Sequence, residues 1–495
     1  MTTIWLNGEP LSLSEIDAVA NGVAKVGLGP EVQARMAASR ATVEQIVESG
    51  QVVYGVNTGF GKLSDIRIPH DDLKVLQLNL VRSHACGVGE PLPRAETRAM
   101  MLLRANVLAK GFSGARFEVA ERLVDMLNHG MHPVVPARGS VGASGDLAPL
   151  AHLALGVIGE GPVEFNGTSM SAARALGELG WRPIELQAKE GLALLNGTQA
   201  IGAVGGLSLV RAHRLLDWAD QAGAMTLEAL LGTPAAFDPR IHAARPHEGQ
   251  NQVAERLRDL LAGSEIRESH RENDPRVQDP YCLRCMPQVH GAVRDAVAHA
   301  TRILETESGS ATDNPLVFPN GDVISGGNFH GAPLAGVLDY VALSLTDLAS
   351  ISERRIDRML NPDTNEGLPA FLCAHPGISS GFMMAHVTAA ALLNEAKVLS
   401  HPASVDSVPT SAGKEDHVSM GMTSALKLRQ VVANVAGVLA IEAMVAAEAL
   451  EYRKPLKPGV GVARAYEQVR TVVPRLEADR MLGPDIDRLA ARLVE

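Results

Sequence analysis

The sequence GSVGASGDLA, from Gly139 to Ala148, could build an electrophile out of the main chain itself. Glycine lacks the Cβ that blocks tight turns, so the Gly145 amide nitrogen could attack the Ala143 carbonyl carbon. Loss of water would then give an imidazolone ring, and dehydration of Ser144 would leave an exocyclic methylidene on it. A flexible glycine- and serine-rich loop before a helix, with Asp146 near the first turn, accounts for these residues equally well.

Two tyrosines stand in loops where a phenol could take part in acid–base chemistry. Tyr54 begins the glycine-rich sequence YGVNTGFG, but a phenol of pKa about 10 needs a nearby positive charge or hydrogen-bond donor to act as a base near neutrality. Tyr281 lies between Gln278 and Arg284 in QDPYCLR, and the Arg284 guanidinium could bind a carboxylate with two hydrogen bonds. Simple packing and structural hydrogen bonds are the alternative roles.

Other polar loops could complete a site around these residues. Asn196 in LLNGT could orient the same carboxylate as Arg284, and Glu415, in a stretch without helical periodicity, is a candidate acid or base. The sequences TDNPL at 312–316 and GGNFHG, which contains Phe329, are both typical of ordered turns around a cavity, and Asp313-Asn314-Pro315 is expected to be structural.

The histidines and cysteines do not predict a metal site. The neighbours Glu415, Asp416 and His417 cannot easily converge on one ion without partners elsewhere. Cys282 and Cys285 form a C-x-x-C, but no second pair accompanies them. We therefore expect no metal.

Composition and charge favour an enzyme that acts on small molecules. The 495 residues, of which 46% are hydrophobic, suffice for two or three domain-sized units with a large core. A net charge of -11 without a basic patch argues against nucleic acid and anionic membranes as partners. The four cysteines and an N-terminus without signal-peptide features lead us to expect a cytoplasmic protein. The apolar segment 431–450 carries Asn434, Glu442 and Glu448, which predicts a buried bundle helix.

Helical periodicity dominates the chain and predicts a mainly α protein. It predicts helices at 95–110, 207–231, 292–306, 335–360 and 426–451. Their length favours a long antiparallel helix bundle over 205–495, preceded by a smaller α-rich N-terminal domain over 1–204 that carries the Ala-Ser-Gly loop.

Residues that end helices or form turns refine this prediction. Asn361-Pro362 should end the fourth helix, because the residue before proline disfavours helix. Short strand signals at 163–165, followed by the turn Asn166-Gly167, and at 323–324 predict small hairpins.

Taken together, these segments resemble the aromatic amino acid ammonia-lyase family over nearly the whole chain. The matching motifs, in the family's order and spacing, are 54–61, 139–147, 278–284, 312–315 and 326–330. The resemblance implies a 4-methylidene-imidazol-5-one (MIO) prosthetic group, formed autocatalytically from Ala143, Ser144 and Gly145. It also implies a homotetramer whose active sites are each built from several subunits.

Within the family, Ser83-His84 and the sequence EDHVSM from Glu415 are similar to members that act on histidine. This implies L-histidine as substrate, with non-oxidative loss of ammonia to give trans-urocanate, the first step of histidine degradation. Tyrosine- or phenylalanine-specific ammonia-lyases and MIO-dependent aminomutases are the alternatives. Lys414 and His386 depart from the family pattern and bear on the choice of substrate.

The resemblance also implies roles for the site residues. Tyr54 would remove the β proton and His84 would face the substrate ring. Tyr281 and Glu415 would assist at the amine or ring. Arg284 and Asn196 would bind the carboxylate. Gln278 and Phe329 would shape the pocket.

Overall fold

The computed structural model describes residues 1–373 and 375–495. It is 59% helix and 8% strand, which confirms the mainly α class. Two compact units emerge: unit 1 comprises Met1–Val210, Ala300–Asp339 and Pro402–Leu426, and unit 2 comprises Arg211–His299, Tyr340–His401 and Lys427–Glu495. The division into 1–204 and 205–495 stays a prediction, since unit 1 also takes in two later segments of the chain.

The helices are α1 Leu13–Ala20, α2 Val32–Ser49, α3 Leu73–His84, α4 Arg94–Ala109, α5 Phe117–Asn128, α6 Leu147–Val157, α7 Ala172–Glu178, α8 Glu190–Leu195, α9 Gln199–Ala229, α10 Pro239–Ala243, α11 Glu248–Leu260, α12 Glu265–Ser269, α13 Tyr281–Arg284, α14 Met286–Ser308, α15 Ala332–Leu360, α16 Met383–Leu399, α17 Gly421–Glu451, α18 Val460–Val472 and α19 Gly483–Val494. The strands are β1 Thr3–Leu6, β2 Lys25–Leu28, β3 Val88–Pro91, β4 Met131–Pro133, β5 Pro136–Arg138, β6 Pro162–Phe165, β7 Thr168–Ser171, β8 Leu316–Val317 and β9 Val323–Ile324.

The predicted long helices are confirmed, although α9, α14, α15 and α17 begin up to eight residues before their apolar periodicity does. In α14 and α15 the second residue is a proline, Pro287 or Pro333, which the first turn tolerates because its N–H would have no intrahelical acceptor. Helix α15 ends at Leu360, before Asn361-Pro362, as predicted.

The strands predicted at 163–165 and 323–324 are both present, and each lies in a small antiparallel hairpin. Strands β6 and β7 form an antiparallel hairpin. Its turn residues Asn166 and Gly167 are both left-handed, with φ of 50° and 78°, as a two-residue hairpin turn requires. Strand β9 pairs with the upstream strand β8. Sequence reasoning missed the parallel pair β1–β2, because its partners lie on either side of α1 and no tight turn marks them.

In unit 1, three helices that pack on one another bring distant loops together. Helix α6 contacts α3 and α8, and α3 also contacts α8. Helix α3 ends at His84, α6 begins two residues after Gly145, and α8 ends before Asn196. Packing of these three helices therefore gathers three of the predicted site segments.

Helices α15 and α17 are long and apolar enough to cross a membrane, judged by length and composition alone. However, 61% of the most apolar window of α15 and 89% of that of α17 are buried inside the protein. Val431, Val438 and Val445 have no exposed surface, as the prediction of a buried helix requires.

Candidate active site

The Ala-Ser-Gly segment forms a tight turn in front of α6. Gly142 and Gly145 have left-handed backbones, with φ of 64° and 74°. A Cβ on Gly145 would lie 2.2 Å from the carbonyl oxygen of Gly197, so no side chain fits there. The Asp146 amide donates to that same carbonyl at 2.7 Å. The backbone is thus bent at Gly142 and Gly145 and packed against Gly197, and closure of a ring in this segment stays a prediction.

Asp146 holds this turn in place from within the core. Its Oδ1 accepts a hydrogen bond of 2.7 Å from the Ser140 hydroxyl, whose oxygen accepts another from the Gly142 amide. Its Oδ2 accepts one of 2.8 Å from the amide of Ile201, in the first turn of α9. Burial raises the pKa of Asp146 to about 6, although the hydrogen bonds from Ile201 and Ser140 lower it. One carboxylate therefore joins the turn to the start of α9.

Two later segments approach the other side of the turn. The carbonyl of Gly142 accepts hydrogen bonds from the Ser419 hydroxyl at 2.9 Å and the Gly331 amide at 3.2 Å. Gly331 is the last residue of the predicted turn that contains Phe329, and Ser419 follows Glu415 by four residues. These bonds place both predicted segments beside the Ala-Ser-Gly turn.

Ser144 lies between a carboxylate and an amide. Its hydroxyl donates to Oε1 of Glu415 at 2.6 Å, and its carbonyl accepts from Nδ2 of Asn196 at 2.7 Å. The sequence assigned Asn196 to a substrate carboxylate. That role stays a prediction, and the structure adds a direct contact with Ser144. Oδ1 of Asn196 is buried and has no hydrogen-bond partner within 1–373 and 375–495.

Tyr54 and His84 lie within the electrostatic influence of Glu415. Burial raises the pKa of Tyr54 above its ordinary value, the backbone of Gly61 lowers it, and the Glu415 charge raises it again. Burial lowers the pKa of His84, although a hydrogen bond to Leu80 and the charge of Glu415 act in the opposite sense. Near neutrality Tyr54 is therefore a protonated phenol and His84 a neutral imidazole.

The tautomer of His84 follows from its contacts. Its Nδ1 lies 2.9 Å from the carbonyl oxygen of Leu80, which can only accept a hydrogen bond, so Nδ1 carries the proton. Nε2 of the neutral ring is then an acceptor.

Unit 2 holds a second group of predicted site residues. Gln278, Tyr281 and Arg284 line one cavity of about 360 Å³. Tyr281 is 70% exposed, and the Arg284 guanidinium lies 4.6 Å from the centre of its ring. Arg355 pairs with Glu442 at 2.5 Å, both completely buried, and donates at 3.4 Å to the carbonyl of Cys282 in α13.

Sequence reasoning missed residues that support the site. The Thr410 hydroxyl donates to Oε2 of Glu415 at 2.6 Å. Arg104, completely buried, donates to the carbonyl of Asn196 at 2.7 Å. Lys189 and Asp313 form a buried ion pair of 2.9 Å, which agrees with a structural role for 312–316. Thr410 lies five residues before Glu415, in the same stretch without helical periodicity, whereas nothing in the predicted helix 95–110 distinguishes Arg104.

Within the described ranges 1–373 and 375–495, no three His, Cys, Asp or Glu side chains are grouped so that they could hold a metal ion. Cys282 and Cys285 are both free thiols and partly exposed.

Comparisons with known proteins establish the family of this chain. The family model for aromatic amino acid lyases matches residues 11–471. The chain belongs to the aromatic amino acid lyase family. It is 57% identical to a histidine ammonia-lyase of Myxococcus xanthus over 98% of this chain and 96% of that protein.

Solved structures show the same fold. The chain is similar to the crystal structure of histidine ammonia-lyase from Trypanosoma cruzi, with a TM-score of 0.92, 46% identity, and coverage of 99% of this chain and 93% of the other. It is also similar to tyrosine aminomutase from Streptomyces globisporus, with a TM-score of 0.95, 39% identity, and coverage of 100% and 97%. A histidine ammonia-lyase and a tyrosine aminomutase therefore share this fold.

Proposed function

We propose that this chain is a carbon–nitrogen lyase that eliminates ammonia from L-histidine and releases trans-urocanate. The observation that carries the proposal is the Ala143-Ser144-Gly145 turn with the carboxylate of Glu415 2.6 Å from the Ser144 hydroxyl. The 57% identity to a histidine ammonia-lyase over nearly the full length supports histidine as the substrate.

The residues of the turn fit the MIO group that the sequence analysis inferred from Ala143, Ser144 and Gly145. Gly145 is left-handed and packed against the backbone of Gly197, so the segment is already bent and its surroundings leave no room for a side chain. Once formed, the group would supply an electrophilic carbon for the substrate amine or ring. Nδ2 of Asn196, which already donates to the Ser144 carbonyl, would stabilise negative charge on that oxygen.

Tyr54 would accept the β proton of the substrate. Because burial raises its pKa, Tyr54 must first lose its own proton, and the reaction should quicken as the pH rises. Glu415 would exchange a proton with the substrate amine or ring.

His84 and Glu415 favour an imidazole substrate. The acceptor Nε2 of His84 and the carboxylate of Glu415 both suit a ring that carries an N–H donor. A phenyl ring offers no such donor to Nε2 of His84 or Oε1 of Glu415, which would disfavour phenylalanine. Phe329 would close the side of the pocket.

Lys414 and His386 are the residues that depart from the family pattern. Lys414 is exposed, and His386 pairs with Glu353 at 2.8 Å.

The substrate carboxylate would bind to Arg284, with Gln278 and Tyr281 beside it. We propose a cytoplasmic homotetramer in which these three residues complete an active site on another subunit. The high exposure of Tyr281 in the isolated chain supports this arrangement.

The test is to incubate the purified protein with L-histidine, L-tyrosine or L-phenylalanine and to follow ammonia and the ultraviolet absorbance of each unsaturated acid. Urocanate from histidine alone is the expected result. A Ser144→Ala variant should keep its fold and lose almost all turnover, and near-normal activity in it would refute the proposal.

Aminomutase activity is the second candidate, favoured by the similarity to tyrosine aminomutase. It would appear as a β-amino acid among the products.

A further inference from the structure

We infer that Thr410 is a positioning residue, which orients the carboxylate of Glu415 for the reaction. This inference rests on the proposed function, because it concerns the same site. Thr410 touches neither the Ala-Ser-Gly turn nor any of the other predicted site residues through a hydrogen bond of its side chain within 1–373 and 375–495; its hydroxyl donates only to Glu415.

The two oxygens of Glu415 have different partners. Oε2 accepts the hydrogen bond from Thr410, and Oε1 accepts the one from Ser144, both at 2.6 Å. Rotation about the last bond of a glutamate side chain is broad, with no sharp staggered minimum. The hydrogen bond from Thr410 is therefore what holds one oxygen aside and directs the other toward the reacting centre.

The main chain is built around the same pair. The Thr410 amide donates to the carbonyl of Glu415 at 2.9 Å, and the Glu415 amide donates back at 3.4 Å. Between them, Ser411, Ala412 and Gly413 are all left-handed, with φ of 49°, 53° and 81°.

Serine and alanine avoid the left-handed conformation because Cβ approaches the carbonyl oxygen that follows it. Such backbones persist where the surrounding structure fixes them, and they concentrate at functional sites. Here the strained turn holds Thr410 beside Glu415. A loop of the same length in another arrangement would not need these left-handed residues.

The chemistry explains why the orientation matters. A group that exchanges a proton must lie within hydrogen-bond reach of the atom it serves, and a misplacement of about 1 Å costs roughly 100-fold in rate. Without its partner, Oε2 would be free to turn toward Ser144 or solvent. Loss of the Thr410 hydroxyl should thus lower kcat more than it raises KM.

The test compares Thr410→Val, Thr410→Ser, Glu415→Gln and the double variant Thr410→Val with Glu415→Gln. Thr388→Val is the matched control, since Thr388 is exposed on α16 and its hydroxyl, among the described residues 1–373 and 375–495, bonds only to the carbonyl of Met384. The measurements are kcat and KM for urocanate formation, the thermal midpoint, and the mass of the peptide that contains Ser144.

We expect Thr410→Val to lower kcat roughly 10- to 100-fold, with KM changed less than about threefold. Thr410→Ser should restore most of the rate, because it keeps the hydroxyl. In the Glu415→Gln background, Thr410→Val should cause little further loss. The loss of two water molecules from the Ser144 peptide, which reports ring formation, should be the same in every variant.

An unchanged kcat in Thr410→Val would overturn the inference. So would an equal loss in the Glu415→Gln background, or a peptide that no longer loses water, since Thr410 would then act on folding or ring formation and not through Glu415. Wild-type protein that released ammonia from tyrosine or phenylalanine instead would overturn only the proposed substrate, and the same variants would be compared on that amino acid. No ammonia from any of the three would overturn both.

Discussion

Substitution of Gly145 by alanine tests the geometry of the Ala-Ser-Gly turn most directly. The new Cβ would lie 2.2 Å from the oxygen, 2.4 Å from the carbon and 2.6 Å from the nitrogen of Gly197. All three are backbone atoms, so no flexible side chain can move aside. The residue would also have to keep a φ of 74°.

Two costs add up in this variant. A left-handed alanine costs about 1–2 kcal/mol relative to glycine. Forcing an extra carbon into a packed site typically costs about 1–3 kcal/mol more. We therefore expect the free energy of unfolding to fall by about 2–5 kcal/mol. Relief of the overlap must displace Gly197, and with it Asn196, whose amide bonds to the Ser144 carbonyl.

The assay combines urea unfolding with the mass of the Ser144 peptide. We expect Gly145→Ala to be destabilised and to retain both water molecules, because its backbone no longer closes. Gly177→Ala is the control: Gly177 lies in α7, and a Cβ there would meet no atom within 4 Å. That variant should gain up to about 1 kcal/mol from helix propensity. Ring formation and stability at wild-type levels in Gly145→Ala would refute this account of the turn.

Three further predictions follow from buried groups. Asp313→Asn should lower the free energy of unfolding by about 3 kcal/mol, because it breaks a buried ion pair. Replacing Lys189 by methionine and Asp313 by leucine together should lower it much less. Urea unfolding of both variants distinguishes the effect of a paired charge from that of simple packing. Burial raises the pKa of Glu228 to about 7. The stability that the protonated carboxyl contributes is fully present below its unfolded pKa of about 4.5. It is lost as the pH rises through 7, which lowers the free energy of unfolding by about 3 kcal/mol. Glu228→Gln should flatten that part of the profile of unfolding free energy against pH, and an unchanged slope would contradict the assignment. Because the pKa of Tyr54 is raised, kcat/KM for histidine should increase with pH into the alkaline range, and Tyr54→Phe should lose turnover; a rate that levels off near pH 7 would exclude Tyr54 as the base.

Much of the site was predictable because its chemistry is local or its motifs are specific. The reaction that would close the ring involves only Ala143, Ser144 and Gly145, so the sequence alone suggests it. Phe329 and Glu415 were found through loops that interrupt helical periodicity. The support given by Thr410 and Arg104 was not predictable, because a hydroxyl in a polar loop and a cation inside a helix are both common.

The sequence by itself determined the mainly α class, the long helices, the Asn166-Gly167 hairpin and the bent Ala-Ser-Gly segment, because these depend on side-chain periodicity and on backbone preferences over a few residues. Only the tertiary structure decided which distant groups meet. Ser144 and Glu415 are separated by 271 residues, and packing among α3, α6 and α8 gathers the loops of unit 1. Likewise, no sequence pattern predicted that α9 begins at Gln199, where the Ile201 amide donates to the Asp146 carboxylate. Contacts of this kind arise from the burial of whole helix faces, which fixes the positions of helix ends that no local pattern specifies.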